Sequence, residues 1–362
     1  MPLASLISAN FIFYITFVQF SLLGMIEKRF SLSIESLGLP LGLMALTGAL
    51  SSVLTGYLLD RSSTSLRKVF NIACFLSILQ GFAAVYSITI YDHMLLNPFF
   101  IAIGFLMGIN GVLVVRVAEA WPAKNRGTAA GWTMAVVYLA ANLMAGFITM
   151  PERIALINGI VTVIIGSLCI SSKTDIRPSA DPCEFHGGYL KIVLFLAVLV
   201  AIDSFVFHME IKREELYRYT WEGRWLWNGI VHAVSAIFAG LLWDRRMERT
   251  LFFFTLSVFA LSLALLILFP IGSFTGLLST LFYNTAVSFY GILILIIWFC
   301  VDSGIGTGLK IGAGMAAVGW VASPAGIAVA MGSMSLPIPA LFSGPLILIM
   351  LLFLIKVGKK LN

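Results

Sequence analysis

Gly56-Tyr57-Leu58-Leu59-Asp60-Arg61 recurs 184 positions later as Gly240-Leu241-Leu242-Trp243-Asp244-Arg245. Each copy closes a long apolar run and opens a short basic loop. An Asp-Arg pair at the end of an apolar helix sits where water begins, and a glycine one turn earlier lets a second helix come close. The two copies mark an internal duplication, and the runs that they terminate place both halves in a membrane.

Composition supports the membrane reading. Of 362 residues, 60% are hydrophobic and 11% charged, with a mean hydropathy of +0.99. Soluble domains carry about 25% charged residues, so too little polar surface exists here to cover one water-soluble core. Apolar runs divided by polar breaks predict twelve spans. They fall near residues 3–25, 35–59, 69–91, 95–121, 128–150 and 154–171 (spans 1–6), then 189–211, 225–243, 250–270, 275–301, 312–333 and 337–357 (spans 7–12). The longest polar break, residues 172–188, includes Lys173, Asp175, Arg177, Pro178, Asp181 and Pro182. It reads as a cytoplasmic linker. The expected fold is therefore all-α, with twelve transmembrane helices in two six-helix pseudo-symmetric domains, residues 1–171 and 189–362.

Basic residues gather on the side that carries Arg61, Arg67, Lys124, Arg126, Arg245 and Lys359-Lys360. The other side has Lys28, Arg29, Arg153 and a cluster at Lys212, Arg213, Arg218 and Arg224 that Glu214, Glu215 and Glu222 offset. The bias predicts both termini in the cytoplasm of a cell-membrane protein. Trp121, Trp221, Trp225 and Trp243 near span ends fit interfacial anchors. The first run starts at Leu3 without a basic n-region or a cleavage site, and reads as a retained helix.

Several function classes are excluded. The net charge of +6 is spread among loops, so no nucleic-acid partner is expected. Cys74, Cys169, Cys183 and Cys300 lack metal-like spacing, so neither a metal site nor a disulfide framework is expected. Ser303-Gly304-Ile305-Gly306-Thr307-Gly308 has the glycines of a phosphate loop but lies between two spans, and reads as a cytoplasmic hinge. No Walker lysine and no catalytic constellation such as paired His and Glu is found, so the chain is expected to be neither an ATPase nor another enzyme, and to need no cofactor.

The 184-residue offset lays Met25 on Met209, Lys28-Arg29 on Lys212-Arg213, Ser51 on Ser235 and Arg126 on Lys310, with no gap. Six spans separate the copies, so the halves insert in the same sense. They read as parallel repeats about an axis along the membrane normal.

Gly-x-Leu-x-Asp-Arg between spans 2 and 3, repeated between spans 8 and 9, resembles the major facilitator superfamily. So does Arg116-x-x-Glu119-x-x-Pro122-x-x-x-Arg126-Gly127 at the span 4–5 junction. The resemblance covers essentially the whole chain and is not specific for a substrate class. It implies that Asp60 closes the cytoplasmic side through Arg116 and the positive N-terminal end of span 11. It departs at Ser63, where the family's second glycine is usual, and at Cys300, which faces Arg116 across the repeat. Tyr138 to Met150 also lacks the glycine-proline motif of the family's proton-coupled exporters.

The candidate cytoplasmic gate is Asp60, Arg61, Arg116, Glu119, Asp244 and Arg245. Arg116 lies inside a span and needs a partner, either Glu119 on its own face or Asp60. The candidate substrate or proton-coupling set is Asp203, Gln19, His232, Asn228, Asn142 and Asn284. Asp203 lies two-thirds of the way across span 7, where an ionised carboxylate is expensive and a group that loads and unloads a proton is suited. The repeat maps Asp203 onto Gln19, so the two are expected to face each other across a central cavity. The alternative for Asp203 is an outer gate or a helix-packing hydrogen bond to Ser204 or a neighbouring helix. His208 and Glu210 lie nearer the outer end, where solvation would keep both polar. His232 could equally be a packing residue, and the intramembrane amides, Asn110 among them, could line a cavity or bind neighbouring helices.

The sequence thus predicts a monomeric secondary active transporter that moves a small-molecule substrate across the lipid bilayer by alternating access, with protons as the candidate coupling ion. The alternative is a non-transporting membrane protein of the same fold, acting as a sensor or an assembly partner.

Overall fold

A computed structural model describes residues 1–30, 37–62, 64–179, 185, 188–301 and 304–358. Ser63, Asp181, Pro182, Cys183, Ser303 and Lys359-Lys360 lie outside the described residues. Eleven helices among those residues are long and apolar enough to cross a membrane. They are Pro2–Phe30, Gly38–Arg61, Leu66–Ser87, His93–Ala120, Ala123–Phe147 and Pro151–Ile170 for spans 1–6. Tyr189–Lys212, Trp225–Asp244, Glu248–Leu268, Ser273–Phe299 and Thr307–Gly332 are spans 7–11. Span 12 is the helix Ile338–Gly358, apolar over Ile338–Phe353. The fold is all-helical, with two six-helix halves, as the apolar runs predicted. A helix bonds its own backbone, so runs with few polar side chains can lie in lipid.

Span boundaries have local causes. Ser65 caps span 3 by accepting the Lys68 backbone N–H at 3.4 Å, and span 6 starts on Pro151, whose missing N–H costs nothing there. Span 1 runs past its expected end because Glu27, Lys28 and Arg29 are helical. The charged stretch after span 7, expected to be a loop, contains a short helix, Glu214–Thr220, that buries Leu216 and Thr220.

Two long contacts join the halves. Span 2 packs along span 11, and span 8 along span 5. Gly56 lies against Gly308 and Gly312, and Gly240 against Gly127 and Gly131, so closely that a Cβ at either position would meet backbone. Four tryptophans read as interfacial anchors face protein instead. Trp121, Trp221 and Trp243 are buried and Trp225 is half-buried, because the connecting loops fold back over the helix ends. Trp132 and Trp227 are the exposed ones.

Two spans contain wide π-helical turns, Tyr14–Leu22 in span 1 and Ala316–Ala322 in span 11. The Tyr14 hydroxyl donates to the Gly319 carbonyl across the halves at 3.5 Å, and Tyr14 and Trp320 meet edge to face at 6.0 Å. Such turns concentrate at functional sites.

The expectation of no disulfide is corrected. Cys300 is disulfide-bonded, while Cys74 and Cys169 are free. Spacing rules miss it because the linker returns to the end of span 10, where the Phe185 N–H donates to the Cys300 carbonyl at 2.8 Å.

Candidate functional site

At the basic face, two matching contacts cross the halves. Asp60, at the end of span 2, accepts the backbone N–H of Gly308 at 2.8 Å and of Leu309 at 2.7 Å, in the first turn of span 11. Asp244, at the end of span 8, accepts those of Gly127 and Thr128 at 2.7 Å each, in the first turn of span 5. Unpaired N–H groups and the positive dipole end make a helix N-terminus a carboxylate site. Gly306 leaves room as well, since a Cβ there would strike the Asp60 carboxylate.

These contacts correct the ungapped repeat. Gly127 and Thr128 correspond to Gly308 and Leu309, three residues short of the offset that relates Asp60 to Asp244. Arg126 is therefore not the counterpart of Lys310. From Asp244 to span 11 the second half is three residues shorter than the first half is from Asp60 to span 5.

Arg116 forms an ion pair with Glu119, and Asp60 is bonded to span 11 instead. Arg61 lies over its own helix's Tyr57 ring, 5.0 Å from the centroid, and Arg245 is exposed. Arg126, which motif reading left out of the gate set, is buried. Its guanidinium donates to the Trp121 carbonyl at 3.1 Å and lies 5.2 Å over the Phe299 ring of the other half.

A central cavity of about 440 Å³ opens between the halves. Glu27, Leu37 and Lys212 line its outer part, whereas Asp60, Arg116 and Asp244 do not line it. The cavity thus extends from mid-bundle toward the face opposite the basic one. Near that face, Lys212 Nζ and Glu27 Oε1 pair at 3.3 Å, joining span 7 to span 1.

Asp203 and Gln19 both line this cavity. Asp203 is bonded to a neighbouring helix, span 10: its Oδ1 accepts the Tyr283 hydroxyl, and its Oδ2 accepts the Tyr290 hydroxyl at 2.5 Å. Ser204 bonds elsewhere, to Ser323 of span 11 at 2.8 Å. His232 also lines the cavity. Its Nδ1 lies 2.9 Å from Ser288 Oγ, and its ring stacks on Tyr138 of the first half at 4.5 Å.

The amides separate. Asn142 lines the cavity and donates to the Tyr138 carbonyl at 2.9 Å. Asn228 and Asn284 are buried outside the lining, Asn228 donating to the Thr220 carbonyl at 3.2 Å. Asn110 donates to Asn10 at 2.6 Å and to Gln80 at 2.8 Å, tying spans 1, 3 and 4.

Glu210 corrects the expectation of a solvated outer carboxylate. It is fully buried, and its Oε2 accepts the Trp221 indole N–H at 2.8 Å. The short helix Glu214–Thr220 and Trp221 cover it. Sequence reading also passed over Tyr283 and Tyr290. Their seven-residue spacing puts both on one face of span 10, which was the available signal.

The comparisons agree with this architecture. Residues 2–145 match the model of the Major Facilitator Superfamily. Among solved structures, the proton:xylose symporter XylE bound to 6-bromo-6-deoxy-D-glucose is similar with a TM-score of 0.65 at 14% identity, covering 98% of this chain and 94% of that one. The human organic anion transporter MFSD10 (TETRAN) is similar with a TM-score of 0.68 at 13% identity, covering 97% and 96%. No curated protein matches. The chain thus shares the twelve-helix fold of these two transporters, and its first half carries the family match.

Proposed function

We propose that the chain is a secondary active transporter that carries a small solute by alternating access. Its halves, residues 1–171 and 189–362 joined by 172–188, rock about the central cavity. The protein works as a monomer in the cell membrane, with the basic face and both termini in the cytoplasm. The observation that carries the reading is the pair of cross-half carboxylate latches at Asp60 and Asp244. They close one face while the cavity reaches toward the other. Breaking them as the halves rock would open the cytoplasmic side.

Within this reading, Asp60 and Asp244 are the latches, and the Arg116–Glu119 pair braces the end of span 4 beside them. Arg61 and Arg245 set the charge of the same face. Asp203 binds the coupling proton, with the Tyr283 and Tyr290 hydroxyls as its partners, while Gln19, Asn142 and His232 contact the solute. Asn228 and Asn284 support His232 from behind the lining.

Two-sided labelling tests the cycle without a known substrate. A cysteine introduced at Val318, in the cavity lining, is exposed to a membrane-impermeant maleimide from each face in oriented vesicles. Transport predicts reaction from both faces, with the outer one faster. Reaction from the outer face alone, together with no flux of any solute in proteoliposomes, would leave a sensor or an assembly partner instead.

A further inference from the structure

The outer half of the cavity contains a ring of four aromatic side chains. Phe20 of span 1 meets Phe207 of span 7 at 5.8 Å, and Phe207 meets Trp221 at 5.4 Å. Trp221 meets Trp225 at 4.8 Å, and Trp225 returns to Phe20 at 5.7 Å. Three of the four contacts are near-perpendicular, at 81–88°. All four residues line the cavity, so the circuit is in reach of a ligand. Phe20 comes from one half and the other three from the other, which makes the ring sensitive to how the halves sit.

Two carboxyl groups lie near this ring. Glu210 Oε2 holds the Trp221 indole N–H at 2.8 Å, and Glu210 Oε1 is buried with no hydrogen-bond partner among the described residues. Asp203 lines the cavity two turns earlier on the same helix. Among the lining residues, Lys212 is the one lysine or arginine, and it is paired with Glu27. An indole that donates to a carboxylate is polarised by that bond, which makes its face more attractive to a cation. Most of the remaining lining is apolar or aromatic, and a volume of about 440 Å³ suits a drug-sized ligand.

We propose that the transported solute is an organic cation with apolar substituents, such as a quaternary ammonium or phosphonium ion. Its charged centre sits against Phe20, Phe207, Trp221 and Trp225, beside the Glu210 carboxyl that holds the Trp221 indole from behind. This inference rests on the transport reading above and names the cargo of that cavity. A cation of this kind presents apolar surface to the rings and gives up little hydration on entering. An anion would meet Asp203 in the lining and no lysine or arginine there that is not already paired.

The test uses a pair of ions of nearly equal size and opposite charge. Binding of tetraphenylphosphonium and of tetraphenylborate to the purified protein is measured in separate samples. Saturable binding of the phosphonium, with none or far weaker binding of the borate, supports the proposal. Trp225→Leu should weaken that binding tenfold or more, and Trp225→Phe, which keeps a ring, about threefold. Phe20→Leu, on the opposite half, gives the same answer if Trp225→Leu fails to fold. Saturable tetraphenylborate binding of similar strength, no phosphonium binding, or full binding by a folded Trp225→Leu variant would each overturn it. The transport reading is judged separately by the Val318 labelling, which needs no ligand.

Discussion

The Asp60 carboxylate and the Gly308 backbone N–H belong to opposite halves of the chain and meet at 2.8 Å. The same carboxylate reaches Leu309 at 2.7 Å, so it caps span 11 from outside that helix. A negative charge at a helix N-terminus contributes about 0.3–1 kcal/mol, and up to about 2 kcal/mol in favourable geometry. Asp60→Asn keeps an acceptor and removes the charge. A loss of about 1 kcal/mol shifts the closed-to-open ratio about fivefold. Labelling of a Val318 cysteine from the basic face should rise by that factor. Asp244→Asn should do the same, and the double variant should approach the product, because the two latches sit on separate helix pairs. Unchanged labelling in the double variant would remove the latch role.

Gly240 offers a steric version of the same test. A Cβ there would strike the Gly127 carbonyl oxygen, backbone that cannot swing aside. Gly240→Ala should push spans 5 and 8 apart at the basic face, at about 1–3 kcal/mol for an overpacked contact. The expected result is a lower melting temperature together with faster labelling from that face. Ala substitution at Gly42, where nothing lies within 4 Å, is the control and should leave both unchanged.

What the sequence made legible was local or periodic. Apolar run length set the twelve spans, and a repeated six-residue pattern picked out Asp60 and Asp244. Their partners were out of reach, because a carboxylate at a helix end can bond any N-terminus that tertiary packing brings to it. The ungapped offset was fitted mainly on spans 1, 2, 7 and 8, and nothing there records that the chain from span 8 to span 11 is three residues shorter than that from span 2 to span 5. Glu210 was misread for a related reason. Its solvation depends on Trp221, eleven positions on, and on a helix whose charges made it look like a loop. The Tyr138–His232 stack pairs residues of opposite halves and leaves no mark on either segment alone.

The Lys212–Glu27 pair at the opposite face is of another kind. Its side chains are 37% and 28% exposed, and pairs in that setting contribute about 0–1 kcal/mol. Lys212→Met should therefore barely change thermal stability. It should still loosen the outer mouth, since this pair ties span 7 to span 1. Labelling of the Val318 cysteine from the outer face should speed up about two- to fivefold. Added salt should speed the parent toward the variant. Exchanging the two charges, Lys212→Glu with Glu27→Lys, should restore the parent rate.

Asp203 separates coupling from folding. Both of its oxygens accept tyrosine hydroxyls, from Tyr283 and Tyr290, and an asparagine can still bond both through its carbonyl oxygen and amide nitrogen. Asp203→Asn should therefore fold, with a melting temperature within a few degrees of the parent, while losing the group that exchanges a proton. The measurement uses a solute returned by a thermal-shift screen across solute classes at two pH values. In proteoliposomes, the variant should lose accumulation driven by a pH gradient and keep solute-for-solute exchange, which needs no net proton movement. Tyr290→Phe removes one donor and leaves the carboxyl, so it should retain gradient-driven accumulation at a reduced rate. Accumulation against a gradient by Asp203→Asn would place the coupling group elsewhere. Loss of exchange as well, with folding intact, would make Asp203 a contact of the solute itself.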